Sequence, residues 1–159
     1  MNTKRGFTLI ELLIVIGIIA VLMAIAVVAI NPARQFAKAN NARRWGDVNT
    51  ILNAVSQNVI DGKGIWTCAE ALPTVTAEVI KADDGDPVTD EADICACLVA
   101  TYIGAMSIDP TATGAHYTDC TDYDTGYYII QDAATGRVTI SAPSAQSENG
   151  AASTISVTR

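Results

Sequence analysis

The sequence is poor in the residues on which most enzyme sites depend. It contains one histidine, His116, among 159 residues, so a histidine-based triad would have to use it. No Gly-x-Ser-x-Gly or His-Glu-x-x-His pattern occurs, and Gly62-Lys63-Gly64 lacks the spacing of a phosphate-binding loop. We therefore predict that the protein is not an enzyme.

Basic residues are scarce in the second part of the chain. From Asp61 onward there are 15 acidic residues and four basic ones. This charge repels a phosphate backbone, so we predict no specific nucleic-acid partner. The adjacent Arg43 and Arg44 lie in a more basic stretch and could contact nucleic acid. A solvated helix face or an ion pair with a neighbouring residue is the interpretation we favour.

One segment lacks polar residues almost entirely. Residues 7–30 include 16 Leu, Ile, Val or Phe residues, and Glu11 is the only strongly polar one. As a helix the segment would be about 36 Å long, enough to cross a hydrocarbon layer of about 30 Å. We predict a transmembrane helix preceded by a short basic leader, residues 1–6. Lys4 and Arg5 place the N-terminus in the cytoplasm and the downstream part outside it.

Two other kinds of N-terminal segment share this composition. One is a conventional secretory signal, for which Ala24-Ile25-Ala26 offers a cleavage site, and the other is an uncleaved single-span anchor. Neither has a use for Glu11, because a carboxylate inside an apolar span opposes insertion by about 3 kcal/mol.

An amphipathic helix is predicted to continue from the apolar run over residues 31–60. Asn31 can cap a helix and Pro32 suits its first turn, so we expect a kink or break there. Apolar residues then recur with the helical period, and Trp45 extends their stripe backward by one turn. The stripe consists of Val48, Ile51, Leu52, Val55 and Val59. Gly62 is predicted to end the helix in a left-handed conformation.

Residues 61–159 are predicted to form a small extracytoplasmic head with a three- or four-stranded antiparallel sheet, which makes the fold class α+β. Short alternating runs indicate the strands, and clusters of Gly, Thr and Asp indicate the loops. The predicted elements are a short helix at 90–102, a loop at 109–124, a hairpin of strands 126–131 and 137–141, and a third strand at 155–158.

The start of the apolar run carries a specific motif. Arg5-Gly6-Phe7-Thr8-Leu9-Ile10-Glu11, followed by a long apolar helix, resembles the class III signal of type IV prepilins and pseudopilins. The resemblance implies that a prepilin peptidase cuts after Gly6 and that Phe7 becomes an N-methylated terminus. It implies that Glu11 pairs with the amine of a neighbouring subunit during assembly. The family fold, a long N-terminal helix packed on a small antiparallel sheet, agrees with the class predicted above.

The same resemblance implies the partners and the role. The partners are identical or related pilin subunits in a helical filament, the prepilin peptidase, an inner-membrane assembly platform, and the membrane before assembly. We therefore predict a structural subunit of a type IV pilus-like filament at the cell surface or in the periplasm. Residues 102–110 are similar to a passage of the major pseudopilins of type II secretion systems, with Ser107 where a proline often stands. The alternatives are a pseudopilin and a ligand-binding minor tip pilin.

Four cysteines lie downstream of the predicted span, which suits two disulfides in an oxidising compartment. Cys95 and Cys97 would project in different directions on a helix. We predict that each pairs with one of Cys68 and Cys120, in an order the sequence leaves open. A zinc site of all four is the less favoured alternative, because Cys-x-Cys is not the usual spacing.

Three aspartates precede the predicted hairpin in a stretch rich in Gly and Thr. Carboxylate clusters are what calcium prefers, so Asp119, Asp122 and Asp124 are candidate calcium ligands, although no EF-hand spacing is present. Solvated loop acids are the alternative. No other cofactor is predicted.

Overall fold

The computed structural model describes residues 6–85, 91–148 and 154–159. Residues 1–5, most of the predicted leader, lie outside the described part of the chain. The chain divides into two compact units, one ending at Phe36 and the other beginning at Ala37. The first unit contains the apolar helix, and the second contains the head with most of the amphipathic helix.

Helix α1 spans Leu9–Ile30 and helix α2 spans Pro32–Asp61. Asn31 separates them with a left-handed backbone, φ 47° and ψ 82°, a conformation that asparagine tolerates better than most residues. Its side-chain oxygen also accepts a hydrogen bond from the Arg34 amide at 3.4 Å, which caps the first turn of α2. The predicted break between the two helices is confirmed.

The head contains an antiparallel sheet with five strands among the described residues. The strands are β1 Glu78–Lys81, β2 His116–Asp119, β3 Asp122–Gln131, β4 Val138–Ala142 and β5 Ile155–Thr158. The order is β1-β3-β4-β5, and β2 pairs with the start of β3. The α+β class is confirmed, as are the β3–β4 hairpin and the third predicted strand, while β1 and β2 were not expected.

Helix α2 packs its apolar stripe against the inner face of the sheet. Val48, Ile51, Leu52 and Val55 are almost completely buried, together with alternate residues of β3 and β4 such as Ile129. Each fully buried side chain of this size contributes roughly 1.5–3 kcal/mol. This burial joins the helix and the sheet in one core.

The predicted stripe is wrong at its first residue. Trp45 is 44% exposed, whereas the fully buried position one turn before Val48 belongs to Arg44. A search for apolar residues at the helical spacing does not find this position, because its residue is charged. A charged residue enters a core only when a partner elsewhere in the chain neutralises it.

Two predicted elements in the middle of the head are also wrong. The helix expected at 90–102 is confined to α3, Cys95–Leu98, within the described residues. It ends because Val99 is extended and Ala100 takes a φ of 69°. The Ala100 amide then donates a hydrogen bond to the Ile103 carbonyl, which closes a turn. The loop expected at 109–124 contains β2 and the start of β3, where the rings of Tyr117 and Tyr123 lie 6.5 Å apart in an edge-to-face contact.

The end of α2 differs from the prediction in its glycine. Lys63 and Gly64 have positive φ, of 57° and 94°, and the Gly64 amide bonds back to the Val59 carbonyl at 2.8 Å. Gly62 is needed for a different reason, because a Cβ there would lie 2.1 Å from the Ile65 carbonyl oxygen.

Candidate functional site

The start of α1 is held by a reciprocal pair of contacts between Thr8 and Glu11. The Glu11 amide donates to Thr8 Oγ1 at 3.3 Å, and Glu11 Oε2 accepts from the Thr8 amide at 2.8 Å and from its hydroxyl at 2.7 Å. This is a capping box, which satisfies donors that the first turn of a helix leaves without partners.

The capping role of Glu11 was missed from the sequence, although its signal is present. Thr8 and Glu11 are three residues apart immediately before an apolar run, which is the spacing of a capping box. The Glu11 carboxylate therefore has hydrogen-bond partners within its own chain.

The rest of α1 is apolar and buries no side chain within its own unit. An 18-residue window of the helix has a mean hydropathy of 3.3, and the length and composition of α1 are sufficient to cross a membrane. A shallow apolar groove runs along the helix where Gly17 has no side chain. It is lined by Leu13, Ile14, Gly17, Ile18, Val21 and Leu22.

The predicted processing residues precede this helix. Gly6 and Phe7 are outside α1, and Phe7 is 90% exposed. A bond in non-helical, exposed backbone is accessible to a peptidase. Cleavage after Gly6 and methylation of Phe7 stay predictions.

A comparison with protein families bears on this segment. A family model described as the prokaryotic N-terminal methylation motif matches residues 1–27. The chain carries a pilin-type N-terminus. This motif is typical of type IV pilins and pseudopilins, and in this chain it ends within α1. The pilin-type N-terminus and the apolar helix fit a membrane-anchored precursor. No curated protein and no solved structure is significantly similar to the chain.

The head is cross-linked by two disulfides that meet at α3. Cys68 bonds to Cys97, and Cys95 bonds to Cys120. Each closely spaced cysteine thus pairs with one of the outer two, as predicted. The first bridge fastens the segment after α2 to α3, and the second fastens α3 to the turn between β2 and β3.

A buried ion pair connects α2 to the loop before β2. Arg44 Nε donates to Asp109 Oδ2 at 2.7 Å and Nη2 donates to Oδ1 at 2.9 Å, and both side chains are inaccessible to solvent. Burial by itself would raise the pKa of Asp109, but hydrogen bonds from Arg44, Thr111 and Ala112 outweigh it and hold that pKa below its usual value. Arg44 thus makes an ion pair, the interpretation favoured from the sequence.

The structure gives each candidate calcium ligand a separate partner within the chain. Asp119 accepts from the Thr121 amide and hydroxyl, Asp122 lies 3.0 Å from a ring nitrogen of His116, and Asp124 accepts from the Gly126 amide. Calcium binding by these residues stays a prediction.

A different group of acids lies closer together. One carboxylate oxygen from each of Asp83, Asp84 and Glu91 lies within 4.8 Å of the other two. Lys81 Nζ lies 3.0 Å from Asp84 and 2.7 Å from Glu91, so one ammonium group offsets part of the negative charge of these three carboxylates. The carboxylates of Glu91 and Asp84 in turn raise the pKa of Lys81.

Proposed function

We propose that this chain is a structural subunit of a type IV pilus-like filament, anchored through α1 before assembly and polymerised through α1 afterwards. The observation that carries the proposal is a 22-residue apolar helix that buries no side chain in its own unit and has one acid, Glu11, at its start. Such a surface needs a membrane or partner helices around it, because apolar area in water costs about 25 cal/mol per Å².

Glu11 can set the axial register of the packed helices. Cleavage after Gly6 would create a positive amine on Phe7, four residues before Glu11. Between apolar helices an unpaired carboxylate is costly, so pairing with the Phe7 amine of a neighbouring copy fixes the axial register of the two helices. In the single chain Thr8 holds the carboxylate in the meantime.

Two substitutions separate the charge of Glu11 from its capping role. Glu11→Gln removes the charge but keeps a side chain that can complete a capping box, whereas Thr8→Ala removes the cap and keeps the charge. We expect Glu11→Gln to enter the membrane normally and to lose most filaments. Thr8→Ala, which weakens the cap by about 1 kcal/mol, should have a much smaller effect.

The measurement compares the amount of protein in the membrane fraction with the yield of sheared filaments for each variant. Normal filament yield from Glu11→Gln would contradict the pairing mechanism. Wild-type filaments that lack this chain would contradict the proposed function itself.

Processing gives an independent test. The mature chain should begin at Phe7 with a monomethylated amine, which mass spectrometry of the N-terminal peptide detects. A mature start at Val27 would instead establish a conventional secretory signal.

Two kinds of filament fit this subunit. A surface pilus is the first, and residues 102–110, which resemble a passage of major pseudopilins, favour a secretion filament as the second. The chain dominates sheared surface filaments if it is a major pilin. It is scarce in them if it belongs to a short secretion filament or sits at a pilus tip.

A further inference from the structure

One end of the head carries an apolar groove with two arginines at its rim. Val59 and Ile60 of α2 form one wall, and the opposite wall is formed by Arg137, Val138 and Arg159. These five residues are called the basic groove below. Both arginines and Ile60 are exposed, with Ile60 at 66%. The two arginines are unusual in their surroundings, because the chain from Asp61 onward has 15 acidic residues and only four basic ones.

The basic groove lies where the β3–β4 turn closes. Gln131 pairs with Val138, and Val138 exchanges backbone hydrogen bonds with Arg159 at 2.7 and 3.0 Å. The guanidinium of Arg159 also donates to the Asn53 side chain of α2. Two acids lie near the groove in the sequence, Asp61 directly after Ile60 and Asp132 in the β3–β4 turn. Asp132 accepts hydrogen bonds from Thr135 and Ala134, and these bonds together with the charge of Arg137 lower its pKa.

The opposite end of the same sheet is acidic. The amide of Ala82, which follows β1, donates a hydrogen bond to the carbonyl of Tyr123 near the start of β3. This bond places Asp83 and Asp84 beside the β2–β3 turn. The acidic end consists of Asp83, Asp84, Asp119 and Asp122. Among the described residues, the basic side chains at this end are Lys81, which pairs with Asp84, and His116, a ring nitrogen of which lies 3.0 Å from Asp122.

The two ends cannot meet within one molecule. In the strand register, Asp124 of β3 lies opposite Lys81 of β1 near the acidic end. Gln131 of β3 lies opposite Val138 of β4 near the basic groove. Seven residues of extended chain separate these positions, which is about 23 Å.

From this arrangement we propose that the basic groove of one copy receives the acidic end of a second copy, with Asp83 against Arg137. The inference rests on the proposed function and deepens it by naming a contact between heads. A contact between like ends would place arginine against arginine or aspartate against aspartate, and both are repulsive. A contact between unlike ends is complementary, and when it runs head to tail without closing it propagates as a filament.

A cross-linking experiment tests the contact directly. Arg137→Lys keeps the positive charge and adds an amine that a carbodiimide joins to a touching carboxylate without a spacer. We expect a cross-linked peptide between position 137 and Asp83 or Asp84 in filaments of this variant, and none in the wild type. Because the ends are about 23 Å apart in one head, this product must join two copies. A position 137 that cross-links only to Asp132, to another protein or to nothing overturns the proposal.

A charge exchange tests whether the contact contributes to assembly. Arg137→Glu and Asp83→Lys should each lower the yield of sheared filaments roughly threefold or more, because a repeated attraction becomes a repulsion. Combining both substitutions in one chain should restore the yield. Lys38→Glu, the same charge change on α2, is the matched control and should have little effect. A double variant no better than the single ones, or an equal loss from Lys38→Glu, overturns the proposal.

The outcomes separate this inference from the proposed function. If the wild type forms no filament that contains the chain, the proposed function fails. If wild-type filaments form but the cross-link and the charge exchange both fail, only the contact between heads is wrong.

Discussion

Arg44 and Asp109 form a two-point ion pair that is completely buried between α2 and the loop before β2. Asn41 accepts a further hydrogen bond from Arg44 at 2.9 Å, and its amide group donates to the carbonyl of Gln146 at 2.7 Å. Thr111 also accepts from Arg44. Arg44 and Asn41 together therefore anchor two separate loops of the head to α2.

Removing one member of this pair should destabilise the head strongly. Asp109→Asn leaves the Arg44 charge buried without its counter-ion, and we expect the free energy of unfolding to fall by about 3–5 kcal/mol. Denaturant unfolding of the full chain in detergent, followed by tryptophan fluorescence, measures this change, because Trp45 and Trp66 both lie in the head unit. Arg43→Ala is the control, since Arg43 makes a partly exposed ion pair with Asp47, and should cost under about 1 kcal/mol.

The same pair should make the head sensitive to acid. Because the pKa of Asp109 is lower in the folded state than its unfolded value of about 3.9, its stabilising contribution is present above that value. The contribution is lost as the pH falls through the folded pKa. Unfolding of the wild type and of Asp109→Asn, compared from pH 7 to pH 3, should show a smaller difference between the two at the acid end. A constant difference across this range would contradict the assignment.

The two disulfides should differ in their effect on stability. They close loops with sequence separations of 29 and 25, for which loop entropy predicts about 3.5 kcal/mol each. Cys95 is fully buried in the core, whereas Cys97 is only half-buried. Replacing Cys95 and Cys120 with alanine should therefore destabilise more than replacing Cys68 and Cys97. Equal losses in the two double variants would show that burial of Cys95 adds nothing.

Two glycines with nearly the same positive φ allow the cost of backbone strain to be separated from the cost of a steric clash. Gly126 and Gly136 have φ values of 69° and 71°, but a Cβ at Gly126 would lie 2.6 Å from the Ala112 Cβ, and one at Gly136 would meet nothing. Gly136→Ala should cost about 1–2 kcal/mol from backbone strain alone. Gly126→Ala should cost roughly 1–3 kcal/mol more, because the loop that contains Asp109 must move. The two denaturation curves decide this, and similar losses would contradict it.

Calcium binding by Asp119, Asp122 and Asp124 can be tested by chelation. If the ion binds only the folded head, excess chelator lowers the melting temperature and millimolar calcium restores it by mass action. Asp122→Asn should abolish that response, and Asp83→Asn serves as the control. An unchanged melting curve in chelator and in calcium removes this prediction.

The local sequence was enough to predict the elements that depend on neighbouring residues. The apolar run, the break at Asn31–Pro32, the stripe of Val48 to Val55 and the β3–β4 hairpin each follow from a periodicity or a turn. The pilin-type N-terminus was equally readable, because its motif is contiguous. In each of these, short-range sterics or one apolar face decides the structure.

Only the tertiary structure decided the features that join distant residues. Arg44 could be buried because Asp109, 65 positions away, neutralises it, and no periodicity in α2 signals that partner. Strand β2 formed in a stretch of Gly, Thr and Asp because pairing with β3 satisfies its backbone. The disulfide partners were decided in the same way, since a bond between cysteines depends on where the folded chain places their Cβ atoms.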